Sequence, residues 1–119
     1  MAEIHYHLCA VFTDRPFAGN ALAVFIDADP LDGVTMQALA RETNLSESSF
    51  VLRPLSAEGD AALRIFTPTM ELPFAGHPTL GTAFVLAAGS ERRIITLETG
   101  RGLVTVRLND DSARPGLGG

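Results

Sequence analysis

The chain has 119 residues, 46% of them apolar and 19% charged, which is the size and composition of one small globular domain. Fourteen acidic residues against nine basic ones give a net charge of −5, and no basic stripe appears, so we expect no nucleic-acid partner. No apolar run approaches the ~20 residues that a membrane-spanning helix needs, so we expect no membrane contact. The single cysteine, Cys9, excludes an internal disulfide and favours a cytoplasmic location.

Two strands are predicted at the start of the chain, Ile4–Phe12 and Asn20–Ile26, separated by a turn rich in proline and glycine. His5 and His7 lie two apart and therefore on one side of the first strand. No third ligand follows at metal spacing, so we predict no metal site. Asn20 follows the turn directly, where its amide either faces a ligand or ties the turn together.

A surface helix is predicted over Val34–Thr43. Met36, Leu39 and Ala40 share one face at positions i, i+3 and i+4, and polar residues occupy the opposite face. Asn44 is a residue type that ends helices well, because it tolerates the left-handed conformation.

The stretch Leu45–Leu52 leads through polar residues into a short apolar strand, Phe50-Val51-Leu52. Glu47 lies at the entry to this strand, between serines. One interpretation is a solvated loop carboxylate. The other is a carboxylate at the edge of a cleft, where burial raises its pKa and lets it exchange protons near neutral pH.

A strand over Ala61–Thr67 is followed by a turn, Pro73–Pro78, and then by a helix that is apolar nearly all round and that Gly89 can stop. Such a helix belongs inside a protein, yet its first turn presents N–H groups and the positive end of the helix dipole, where a carboxylate or phosphate can bind. Gly76 would let a ligand approach the backbone, and His77 adds a donor or acceptor there. The alternative is a buried helix without a ligand.

The chain ends with a predicted hairpin, in which Gly100-Arg101-Gly102 joins the strands Arg93–Thr99 and Leu103–Leu108. Residues 109–119 are polar and rich in glycine and proline, so we predict a flexible tail.

Three segments in this order resemble the PhzF-like family of phenazine-biosynthesis isomerases: PFAGNALAV (16–24), NLSESSFVL (44–52) and RIFTPTMELPFAGHPTLGTA (64–83). The resemblance covers about residues 4–108. It differs at Ala21, where the family usually has a proline.

The resemblance implies an α+β fold of the diaminopimelate-epimerase-like type, with a mixed β-sheet curled around one central apolar helix and one further surface helix. Members of the family are roughly twice as long and consist of two similar domains with the active site between them. Residues 1–108 match only the N-terminal-type domain. The resemblance therefore implies a homo-oligomer, or a second PhzF-like chain, that supplies the other domain. Its alternatives are a non-catalytic binding or scaffold module and a truncated half of such an enzyme.

The chemistry implied by the resemblance is proton transfer on a small carboxylate-bearing substrate without any cofactor. By this analogy Glu47 is the general acid/base and His77 assists proton movement. The residues that would bind the substrate are Asn20, Gly76, Pro78 and Thr79. Without a second domain to exclude water, we expect Glu47 to keep a pKa close to its ordinary value.

Overall fold

The computed structural model describes residues 5–11, 20–88 and 90–108, with side chains from residue 22 onward. Its elements in chain order are β1 (His5–Val11), β2 (Asn20–Ile26), α1 (Gly33–Thr43), β3 (Glu47–Leu52), β4 (Ala61–Phe66), β5 (Glu71–Leu72), α2 (Gly76–Ala88), β6 (Ile94–Thr99) and β7 (Gly102–Arg107). The predicted flexible tail, the first predicted turn and the predicted stop at Gly89 lie outside the described residues.

All strands of the described residues belong to one mixed sheet in the order β1-β2-β3-β4-β6-β7, and the short β5 pairs with β4. The pairs β2/β3 and β4/β6 are parallel, and the remaining neighbours are antiparallel. The predicted α+β class is therefore confirmed, with a mixed sheet and two helices. The predicted curling of the sheet around α2 stays a prediction.

The two helices lie on opposite faces of the sheet, and the topology explains why. α1 connects the parallel pair β2/β3, and α2 lies in the connection between the parallel pair β4/β6. Such crossovers are right-handed in nearly all proteins. Because β4 runs antiparallel to β3, and so to β2, the second crossover starts in the opposite direction and carries its helix to the opposite face.

The face under α1 is aromatic. The rings of Phe25 and Phe50 stack with centroids 4.6 Å apart, and Phe66 meets Phe50 edge-on at 5.4 Å. Met36 and Ala40 of α1 are buried in the same cluster, as the helical periodicity predicted, and Leu39 packs against it. Asn44 ends α1 in the left-handed conformation (φ 53°), and its N–H donates to the Ala40 carbonyl.

The face under α2 is aliphatic and buries Ala83 and Ala87 against residues of β2, β3, β4 and β6. The prediction that this helix would be buried on all sides is wrong for part of its surface. Leu80 is 38% exposed, and Phe84 is only half-buried. The described helix thus packs one side on the sheet and presents apolar side chains on another. No helix in the described part of the chain is long and apolar enough to cross a membrane.

Candidate active site

Glu47 is the first residue of β3 and is placed by the two strands that flank β3. Its Cα pairs with Leu22 of the parallel strand β2, and the next residue, Ser48, pairs with Phe66 of β4. Side chains alternate along a strand, and Val51 belongs to the cluster under α2 whereas Phe50 belongs to the aromatic one. Glu47 therefore faces the α2 side of the sheet. Glu47, predicted at the entry to this strand, is its first residue.

Burial raises the pKa of the Glu47 carboxyl above its ordinary value, and the nearby His77 opposes this effect by lowering it. The expectation that this carboxyl would keep its ordinary pKa without a second domain is therefore wrong. The reason is local, because the described strands and α2 already withdraw this half-buried side chain from water. A carboxyl with a raised pKa is better suited to exchange protons near neutral pH.

His77 is the second residue of α2, and it lies close enough to Glu47 to act on it electrostatically. The structure thus brings together the two side chains to which the resemblance assigns catalytic roles. Glu47 and His77 are 30 positions apart in the chain, and β4 and β5 lie between their elements β3 and α2, so the tertiary fold rather than closeness in the sequence creates this pair.

The start of α2 offers room for a ligand beside the backbone. The first hydrogen bond of the helix runs from the Thr79 N–H to the Ala75 carbonyl, so the N–H of Gly76 precedes the intrahelical ladder. A Cβ built on Gly76 would meet no atom within 4 Å, and Gly76 is exposed. The positive end of the helix dipole favours an anion at this position.

Pro78 and Thr79, the other two predicted substrate contacts on α2, have buried side chains. The Thr79 hydroxyl donates to the Ala75 carbonyl at 2.8 Å, and the Thr79 N–H donates to the same oxygen at 3.3 Å. Both donors of Thr79 are therefore engaged in starting the helix. A substrate contact at either residue stays a prediction.

The Asn20 backbone opens β2 opposite Val11 of β1. Its side chain lies outside the part of the chain whose side chains are described, as do those of His5 and His7. The predicted role of Asn20 in binding thus stays a prediction. Within residues 22–88 and 90–108, no group of three histidine, cysteine or acidic side chains is placed to hold a metal ion.

Two further polar groups on this side of the sheet were missed by sequence analysis. The hydroxyls of Ser49 and Thr82 are fully buried and have no hydrogen-bond partner among the described residues. Ser49 follows Glu47 by two positions on the same face of β3, and Thr82 follows His77 by five positions on α2. The signal that could have found them is the presence of hydroxyl side chains within otherwise apolar stretches.

The arrangement can move a proton on a bound anion. The N-terminus of α2 can hold a negatively charged group, and Glu47 and His77 lie beside it as proton-exchanging side chains. Fixed backbone dipoles also stabilise negative charge that develops during a reaction, without having to reorganise.

Comparison with known proteins finds relatives of this chain. The family model described as phenazine biosynthesis-like protein (PhzC-PhzF) matches residues 9–116. A trans-2,3-dihydro-3-hydroxyanthranilate isomerase of Pseudomonas aeruginosa is 53% identical over 103 residues, which are 87% of this chain and 37% of that protein. The chain thus spans little more than a third of the length of this relative.

Solved structures show the same fold. A predicted epimerase from Pseudomonas aeruginosa matches with a TM-score of 0.76 and 40% identity, over 87% of this chain and 37% of that one. A hydroxyproline epimerase from Agrobacterium vitis matches with a TM-score of 0.62 over 77% of this chain and 35% of that one. At 16% identity, the second likeness concerns the fold alone.

Proposed function

Because the chain belongs to the PhzC-PhzF family of phenazine biosynthesis-like proteins, we propose that it is part of a cofactor-independent isomerase. The reaction moves a proton on a small carboxylate-bearing substrate. The observation that carries this proposal is the placement of Glu47, with its raised pKa, beside His77 at the N-terminus of α2.

In the proposed reaction the substrate carboxylate lies against the backbone at Gly76, where the helix dipole attracts it. The ionised Glu47 accepts a proton from a substrate carbon, and the electron pair of the broken C–H bond spreads into the adjacent conjugated system. The protonated Glu47 then returns the proton to a different carbon, which completes an isomerisation. His77 contacts the substrate and assists this movement.

The substrate class follows from a relative named for its isomerisation of trans-2,3-dihydro-3-hydroxyanthranilate, a small acid that we propose as the first compound to test. Because the chain spans only 37% of that relative, we further propose that a second domain completes the site. In this proposal the domain belongs to a second copy of this chain, to another PhzF-like chain or, where the chain is a truncated half of such an enzyme, to the rest of the same polypeptide. The half-exposed apolar surface of α2 around Leu80 supports an arrangement in which another polypeptide covers this side.

The decisive experiment measures deuterium uptake from heavy water into this acid, by mass spectrometry, for the wild-type chain and for Glu47→Gln. We expect uptake in the wild type and its loss in Glu47→Gln. Glu58→Gln is the matched control, because Glu58 is exposed in the loop before β4 and undergoes the same chemical change. Equal uptake in Glu47→Gln and Glu58→Gln would refute the catalytic role of Glu47.

The proposed second domain is tested by light scattering on the purified chain and on the material that co-purifies with it. We expect a dimer or a complex with a second PhzF-like polypeptide. A strictly monomeric chain that nevertheless catalyses deuterium uptake would contradict the proposed completion by another chain.

A further inference from the structure

The turn between β6 and β7 lies unusually close to the segment that leads into α2. A Cβ built on Gly100 would lie 2.8 Å from both the Cα and the carbonyl oxygen of Pro73, and 3.1 Å from its Cβ. Two of these three atoms belong to the backbone and cannot rotate out of the way. The two glycines of this hairpin are needed for different reasons. Gly102 has a positive φ (101°) that other residues rarely adopt, whereas at Gly100 a side chain would collide with Pro73.

The hairpin side of this contact is firmly held. The Thr99 hydroxyl accepts a hydrogen bond from the Arg101 N–H at 3.1 Å and donates to the Gly102 carbonyl at 2.9 Å. Leu97 of β6 is fully buried and pairs with Ala61 of β4. The hydrogen bonds therefore stiffen the turn internally, and the pairing of Leu97 fixes in the sheet the strand that carries the turn.

The segment that contains Pro73 is also fixed before it reaches α2. Its start is held by a hydrogen bond from the Gln37 side chain of α1 to the Thr67 carbonyl at 2.9 Å. Two hydrogen bonds of 2.8 Å join the guanidinium of Arg64 to the carboxylate of Glu71. A displacement of Pro73 is therefore passed forward, toward the beginning of α2.

We propose that Gly100 is a positioning residue for the site, because its missing side chain lets the β6–β7 turn support Pro73 and so sets where α2 begins relative to Glu47. The importance of this placement for catalysis rests on the proposed isomerase function. The contact itself does not. In Gly100→Ala the distance from the new methyl group to the Pro73 backbone would have to increase from 2.8 Å to an ordinary contact of about 3.5 Å or more. Catalytic groups tolerate displacements of only about 0.5 Å, so a shift of this size at the start of α2 matters.

The test compares Gly100→Ala with Gly59→Ala by NMR of the full chain. Gly59 is a matched control, because the three atoms nearest to a Cβ there, at 2.6 to 2.8 Å, all belong to the side chain of Glu98, whose carboxylate accepts hydrogen bonds from the N–H groups of Leu55 and Ser56. We expect Gly100→Ala to shift the amide resonances of Gly76 and His77 and the titration midpoint of Glu47, and Gly59→Ala to leave them unchanged. Unchanged resonances and an unchanged midpoint in Gly100→Ala would overturn the proposal.

If Gly100→Ala does not fold, Thr99→Val tests the same support from the hairpin side, because it removes the hydroxyl that accepts from the Arg101 N–H and donates to the Gly102 carbonyl and so loosens the turn that lies against Pro73. Shifted resonances at Gly76 and His77 would support the proposal, and unchanged ones would overturn it. Deuterium uptake measured in parallel separates the two proposals. If the wild type takes up no deuterium while Gly100→Ala still shifts the titration midpoint of Glu47, the isomerase function is refuted and the positioning role of Gly100 is not. If both proposals hold, we expect Gly100→Ala to lower kcat tenfold or more.

Discussion

A methyl group at position 76 should affect the stability of the fold and the binding of a substrate in opposite directions. Gly76 is the first residue of α2 and has no positive φ, and a Cβ there would meet no atom within 4 Å beyond its chain neighbours and its own helix backbone. Alanine is the better helix former by up to about 1 kcal/mol in a helix interior, and less at a terminus. We therefore expect Gly76→Ala to stabilise the chain by about 0.5 kcal/mol.

The same methyl group would occupy the space through which a substrate carboxylate reaches the backbone. A hydrogen bond to a charged group contributes about 1.5–3 kcal/mol, so its loss corresponds to a fall of roughly 10- to 150-fold in kcat/KM. Urea denaturation measures the stability, and deuterium uptake into trans-2,3-dihydro-3-hydroxyanthranilate measures the activity. If Gly76→Ala is at least as stable as the wild type and equally active, substrate binding at the Gly76 backbone is refuted. If Gly76→Ala is less stable than the wild type, the space beside Gly76 is not open.

Three further predictions concern the residues around this site. Because folding raises the pKa of Glu47, the stability that its protonated form provides is present at low pH and is lost as the pH rises through the folded-state pKa. Denaturation of Glu47→Gln across the pH range should therefore show a gain over the wild type that grows with pH, and a constant difference would contradict the raised pKa. Thr82→Val removes a buried hydroxyl without a partner among the described residues, so we expect a melting experiment to show a gain of about 1 kcal/mol; a loss would reveal an unseen partner. Phe50→Ala should cost about 3–5 kcal/mol in urea denaturation, because Phe50 is fully buried between two rings, and Phe50→Leu should cost less. Equal costs for the two variants would contradict a well-packed aromatic layer.

Local patterns were sufficient to predict most elements. The helical spacing of Met36 and Ala40 placed the buried face of α1, and Asn44 marked its end because its left-handed conformation closes the helix. The hairpin around Gly100 and Gly102 was likewise correctly predicted from its glycines. These features depend on residues close together in the sequence, where periodicity and turn chemistry act directly.

Features that depend on tertiary contacts were harder to predict. The two-residue strand β5 is too short to show a pattern, and it exists because β4 offers it an edge. The raised pKa of Glu47 and the exposure of Leu80 both depend on how α2 lies on the sheet, which composition does not reveal. The motif around His77 could be recognised as part of a family, but its closeness to Glu47 required the fold.

The alternation of side chains along β3 has a consequence for how this protein can change. Ser48 and Phe50 point to the aromatic layer under α1, while Glu47 and Ser49 point to the opposite side, under α2. Substitutions that tune folding can therefore accumulate on one side of a single six-residue strand while the other side keeps Glu47, the proposed acid/base. Directed evolution for thermal tolerance should accordingly begin with the aromatic layer.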